Sequence, residues 1–248
     1  MEGTGFWVIA VLASVFVGLS KGGLPVVAML SVPLLALVMP PVTAAGLLLP
    51  VYMVSDMFGL YAYRRAVNKK LLLILAPAAT LGVALGWATA AQVPERLIAG
   101  AIGAIGVAFA LNLLLRRQPE GPPQEPKILP GLFWGTMSGM TSFVSHSGGP
   151  PYQAYVLPLR LDKMVYAGTT TVLFAYVNAV KLLPYWALGQ LSFSHLKTAL
   201  VLAIPASVAV LAGVRLVRII PQKQFFLLVT WALLAVSGKL LWSAVFFA

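Results

Sequence analysis

Residues 142–153 read SFVSHSGGPPYQ, in which a histidine, three serines and a glycine pair interrupt otherwise apolar sequence. A helix does not pass undisturbed through Gly-Gly-Pro-Pro, because glycine loosens the backbone and each proline removes a donor and clashes with the preceding turn. Residues 17–26, VGLSKGGLPV, echo the stretch, with Gly22 and Gly148 lying 126 positions apart. Both stretches are therefore expected to be helix breaks. Inside apolar segments such breaks are tolerated where the freed backbone groups are buried in protein or line a cavity, the arrangement that places binding sites in broken-helix transporters.

Composition agrees with that setting. The chain has 248 residues, 60% hydrophobic and 9% charged, with a mean hydropathy of +0.93, far from the balance of a soluble domain. Apolar runs able to cross a core of about 30 Å recur along its length, so a multi-pass membrane protein with no separate soluble domain is expected. The absence of cysteine excludes disulfides, thiol catalysis and Cys-based metal sites. A net charge of +11, from 17 basic and six acidic residues, could suggest nucleic acid, but the basic residues are spread over short loops, which points to membrane orientation instead.

In order, apolar runs cover 6–19, 24–39, 43–63, 71–91 and 96–115, then 131–144, 152–159, 163–186, 196–214 and 225–247. The first run lacks the basic start and cleavage site of a signal peptide and is kept in the mature fold. It and the second run are short, which suggests a hairpin of short or tilted helices meeting at the glycine pair. Between the two sets lies RRQPEGPPQEPKILP at 116–130, a Pro-rich charged linker. Pro77 and Pro205 are 128 apart, Pro94 and Pro221 127, and Leu113 and Leu240 127, so the chain is a tandem repeat. The expected organisation is a first repeat over 1–117, a cytoplasmic linker over 118–129 and a second repeat over 130–248, together one domain.

Loop charges address the relative orientation of the halves. The loop after the third run carries Arg64, Arg65, Lys69 and Lys70, whereas its counterpart at 187–194 carries no charge; the next loop has Arg96 in the first half but Arg215, Arg218 and Lys223 in the second. By the positive-inside rule the loops at 64–70, 116–127 and 215–223 are cytoplasmic and both termini lie outside. The expected fold is thus an all-α polytopic membrane protein of two inverted repeats, about five helical segments each, with Gly-broken short helices at the start of each repeat.

Candidate site residues gather at the breaks. Successive backbone N–H groups at Gly22, Gly23, Gly148 and Gly149 would form a donor-lined concavity suited to an anion, with Ser20, Ser145, Ser147 and Gln153 adding polar groups, His146 a titratable one and Lys21 a full charge. Bulk added at Gly22 or Gly148 would then block an anion's approach to the backbone. Among the six acids only Asp56 falls inside an apolar run, and the repeat sets Asn178 opposite it, with Lys181 three residues further on the same helix face. A buried carboxylate needs a cation, and Lys21 and Lys181 are the candidates. His146 and Asp56 are the groups available for proton coupling, with the imidazole favoured because its unperturbed pKa of about 6.5 lies near neutrality. Lys239 and His195 fall at helix ends, and Trp186 and Trp242 read as interfacial belt residues.

With SKGGLP and SHSGGPP opening its halves, Pro33, the helix starts Ala44-Ala45-Gly46 and Ala167-Gly168-Thr169-Thr170, and the ending Gly238-Lys239-Leu240-Leu241, the chain resembles the sulfite exporter TauE/SafE-type family, also called the toluene sulfonate uptake permease family. The resemblance covers nearly the whole chain; many members carry three or more consecutive glycines at the breaks, and this chain has two. It implies a secondary transporter of sulfite, organosulfonates such as sulfoacetate, or related organic anions in the bacterial cytoplasmic membrane. Proton coupling is compatible with it, and a passive anion channel or membrane assembly factor is the alternative. No enzyme is expected, since the sequence has no HExxH and no intramembrane aspartate pair. No cofactor or metal is expected either; the partners are a small anion and the lipid bilayer, not nucleic acid, with a homodimer left open.

Overall fold

The structure is a computed structural model, in which residues 3–24, 27–90, 92–115, 123–219 and 222–246 are described. The expected linker at 118–129 and the basic loop at 215–223 lie partly outside them, as do Pro25 and Pro221. The described residues form helices and no strand: α1 (Thr4–Lys21), α2 (Ala28–Leu35), α3 (Pro41–Tyr63), α4 (Lys69–Ala90), α5 (Glu95–Leu115), α6 (Ile128–Ser145), α7 (Gly149–Val156) followed by a 3-10 turn at Leu157–Leu159, α8 (Lys163–Ala187), α9 (Phe193–Ile219) and α10 (Gln222–Phe246). One order thus occurs twice: a helix, a break, a helix of eight residues and three long helices.

The prolines act differently from the sequence expectation at the second break. Pro150 and Pro151 lie in the first turn of α7, where a helix has no use for their missing N–H groups and the fixed φ favours the helix. The interruption is therefore confined to His146, Ser147 and Gly148. Pro41 similarly starts α3.

Among the described residues four helices, over Thr4–Lys21, Pro41–Tyr63, Lys69–Thr89 and His195–Arg215, are by length and composition long and apolar enough to cross a membrane. α1 is longer than its apolar run, because Lys21 itself is its last residue. Outward faces are apolar: Leu200, Ile204, Val208 and Leu211 occupy one stripe of α9 and are exposed, while Leu202, Ala206 and Val210 are buried. An exposed stripe of that kind suits lipid and not water.

Packing exchanges partners between the halves. α1 packs on α9 as α6 packs on α4; α3 packs on α9 as α8 packs on α4; α3 meets α8, and α5 meets α10. Small residues let the backbones touch, the device by which helices associate where there is no water to drive them together. A Cβ built on Gly18 would lie 2.0 Å from the Ala206 carbonyl oxygen, one on Gly139 2.0 Å from that of Ala79, and one on Gly82 2.0 Å from that of Thr136. The α1–α9 and α4–α6 pairs are thus closed backbone to backbone. Valine at Gly18 or Gly139 is expected to lower stability by about 1–3 kcal/mol or more, seen as a lower melting temperature in detergent, while alanine at Gly238, which has open space beside it, leaves melting unchanged or slightly raised.

Candidate functional site

The first break is a helix cap. The N–H groups of Gly22, Gly23 and Leu24 donate to the carbonyls of Gly18, Ser20 and Leu19 at 3.0, 3.4 and 3.3 Å, and Gly23 turns the chain at φ 112°, a value that favours glycine. These amides satisfy the end of α1 and are not free for a ligand. At the second break the left-handed residue is His146, at φ 53°, and its N–H and that of Ser147 donate to Ser142 and Thr141 at 2.9 and 3.4 Å. In the first turn of α7, Pro150 and Pro151 have no N–H and that of Tyr152 donates to the Gly148 carbonyl at 3.3 Å, which leaves the N–H of Gly149 for a ligand. A non-glycine residue in this conformation is uncommon and costs energy. Here it turns the imidazole onto the Tyr52 ring, centroids 4.5 Å apart and planes at 26°.

Around these turns the charged side chains form one buried group. Lys21 Nζ lies 2.6 Å from Asp56 Oδ1, an ion pair without an aligned hydrogen bond. Asn178 Nδ2 donates to Asp56 Oδ2 at 2.7 Å, so the residues that the repeat equates meet each other. Of the two cations open to Asp56, Lys21 is its partner. Lys181, with no exposed surface, reaches the Ser142 carbonyl at 3.1 Å, Ser142 Oγ at 3.2 Å and His146 Nδ1 at 2.6 Å. His146 Nε2 is 3.0 Å from the Ala45 carbonyl. A carbonyl only accepts, so Nε2 carries the hydrogen, and toward an ammonium on Lys181, which only donates, Nδ1 presents its lone pair, as a neutral imidazole does.

A central cavity, with about 40 Å³ of space for the centres of water-sized molecules, opens among these groups. Ser20, Lys21, Ser142, His146, Gly149, Thr170, Thr171 and Asn178 give it a polar wall, and Ala28, Met29, Tyr52 and Phe174 an apolar one. One water needs about 10–15 Å³ of such space, so the cavity has room for a molecule of a few heavy atoms. The remaining sequence candidates sit differently. Ser145 and Ser147 donate to the carbonyls of Thr141 and Ser145. Gln153 is buried in α7. Gly22 faces α9, where a Cβ would lie 2.6 Å from the Val210 carbonyl oxygen, and Gly148 faces Phe174 and Ser138, whereas a Cβ on Gly149 would have its nearest neighbour 4.0 Å away, at Gln153 Nε2. Bulk at Gly22 or Gly148 would therefore disturb packing before it reached a ligand.

Sequence reasoning did not single out Tyr52, Thr170, Thr171 or Phe174 as site residues. A signal existed: positions 170, 174, 178 and 181 follow helical spacing on α8 and form one polar-aromatic stripe, and Tyr52 lies one turn before Asp56.

A second, apolar crevice, with about 190 Å³ of space by the same measure, lies among α3, α4, α5, α6 and α8 and includes Ala45, Phe143 and Tyr185 in its wall. Tyr185 Oη donates to the Phe143 carbonyl at 2.5 Å, and its ring stands edge-on to His146 at 6.1 Å. His146, which lines the cavity, thus touches Ala45 and Tyr185, which line the crevice.

The family model described as Sulfite exporter TauE/SafE matches residues 7–240. No curated protein matches the chain, and no solved structure does.

Removing one partner of the buried pair leaves the other charge uncompensated. Asp56→Ala is expected to cost about 3–5 kcal/mol of stability, read by thermal unfolding in detergent. The double variant Lys21→Met with Asp56→Leu is expected to lose less than Asp56→Ala alone.

Proposed function

The chain belongs to the sulfite exporter TauE/SafE family, and from that premise we propose that it carries sulfite, organosulfonates such as sulfoacetate, or related small organic anions across the bacterial cytoplasmic membrane by alternating access. Membership implies a membrane exporter of sulfite or a related anion, in a family of transporters and not of enzymes. The observation that carries the finer reading is the cavity to which the first break brings Lys21 and the second His146 and Gly149, with Lys181 directly behind Ser142 and His146. Lys21, Asn178, the serine and threonine hydroxyls and the Gly149 N–H at the start of α7 are the anion's ligands in this reading.

Two observations support inverted halves and alternating access. The exchange of partners, α1 on α9 for α6 on α4, is what a two-fold relation between the halves produces, and the reversed loop charges favour an axis in the membrane plane, with both termini outside. The central cavity and the apolar crevice share none of their lining residues, which suits a carrier closed on one side better than a passive channel.

His146 is the group that makes the site sensitive to protons in this reading, with Asp56 as the standing partner of Lys21. Its neighbours are two cations, Lys21 and Lys181, and the phenols Tyr52 and Tyr185. A second proton would convert Nδ1 from acceptor to donor and end the bond from Lys181. In proteoliposomes, saturable counterflow of labelled sulfite or sulfoacetate is expected, accelerated by an imposed pH gradient. His146→Gln should remove the gradient's effect while largely keeping exchange at equal pH. Flux that neither saturates nor shows counterflow would favour the channel, and a wild type indifferent to the gradient would remove proton coupling.

A further inference from the structure

The two buried lysines are not equivalent. Lys21 has its counter-charge 2.6 Å away in Asp56, and Asn178 completes that carboxylate. Lys181 contacts a carbonyl, a hydroxyl and a neutral imidazole. The sequence holds six acidic residues, and Asp56 alone falls inside an apolar segment. Asp162, at the start of α8, is 19 residues from Lys181, roughly 28 Å along the helix. Among the described residues Lys181 thus has no carboxylate in ion-pair contact, the neighbouring Asp56 being paired with Lys21, at a position with no solvent contact, where a charged group is costly unless it is paired.

We infer that Lys181 is the cation that the substrate neutralises, and that the loaded site is built for one negative charge. This rests on the reading of the central cavity as the anion site. With Lys21 and Asp56 cancelling and His146 neutral, a singly charged oxyanion such as a sulfonate or bisulfite brings the loaded site to zero. A doubly charged one, such as sulfate, leaves a surplus negative charge in a medium that stabilises it poorly. Ser142, on the cavity wall and accepting from Lys181 Nζ at its Oγ, keeps its hydroxyl hydrogen for the anion and is the contact through which that charge reaches it, while both ring nitrogens of His146 are already engaged. The wall of Ala28, Met29, Tyr52 and Phe174 accepts a small apolar substituent, the part by which a sulfonate differs from sulfate.

The test is binding of methanesulfonate and of sulfate to purified protein at pH 7 and constant ionic strength, by calorimetry. Wild type is expected to bind methanesulfonate at least about tenfold more tightly than sulfate, a difference of about 1.4 kcal/mol. Lys181→Gln should weaken methanesulfonate binding by about tenfold or more, and Asp56→Asn, which raises the surplus to two, should narrow or reverse the preference. The double variant Lys21→Met with Asp56→Leu keeps a surplus of one and serves where Asp56→Asn does not fold; it is expected to bind more weakly with the monoanion still preferred. Equal or better binding of sulfate by wild type, or full affinity in folded Lys181→Gln, overturns the inference. A wild type that binds neither of these anions nor bisulfite overturns instead the anion-site reading beneath it.

Discussion

The contact on which the rest of the site depends is the buried pair of Lys21 and Asp56. It joins the last residue of α1 to the middle of α3, and through Asn178 to α8, so three helices from both halves converge on one carboxylate. Burying two charges is expensive, and replacing such a pair by packed apolar groups is often neutral or better for stability. Its presence in an otherwise apolar interior is better explained by what it positions. With Lys21 held against Asp56, the end of α1 is fixed, and the following turn, capped at Gly23, delivers α2 to the cavity wall at Ala28 and Met29.

Equivalent places in the two halves carry unlike chemistry. The left-handed turn after α1 is made by glycine, which has no side chain to place, and the one after α6 by His146, which has. Position 56 is an acid, and its counterpart 178 is an amide that donates to it. This asymmetry lets one fold repeated twice hold one compensated lysine and one that only neutral acceptors touch. A perfectly symmetric chain would place the same charges on both sides of the cavity and could not separate the two roles.

Much of the fold could be read from residues alone, because the signals were local. Apolar runs bounded by Gly, Pro and charge gave ten segments close to the observed helices, and the SKGG and SHSGG stretches marked the interruptions. What could not be read depended on tertiary neighbours. Gly22 and Gly148 resemble Gly149 in sequence, yet they lie against α9 and against Phe174 and Ser138, and only the packing tells them apart. Ser145 and Ser147 had nearby carbonyls as partners, an option always open to a serine at a helix end. Asp56 had two cations within reach of the argument, and the choice of Lys21 followed from where α1 ends. The stripe Thr170, Phe174, Asn178 and Lys181 was periodic, but its threonines and phenylalanine look like ordinary packing until a cavity is seen beside them.

Rigidity and adjustability are distributed unevenly around this site. The α1–α9 and α4–α6 pairs meet through glycines with carbonyl oxygens where any Cβ would go, and such interfaces slide poorly because backbone fills the space. α3 and α8 meet through Asp56 and Asn178 and also closely at Gly168, where a Cβ would lie 1.9 Å from the Ala66 carbonyl oxygen just past the end of α3, whereas His146 bridges to α3 at Ala45 and to α8 at Lys181 by single hydrogen bonds. Single polar contacts can be exchanged for contacts to a bound anion at little net cost, whereas closed helix pairs cannot. The exchangeable contacts are thus those of His146, not the α3–α8 interface as a whole. The layer of Ala45, Phe143, His146 and Tyr185 between cavity and crevice is then where an arriving charge would be felt first, because His146 and Lys181 share a hydrogen bond there that responds to the charge on either partner.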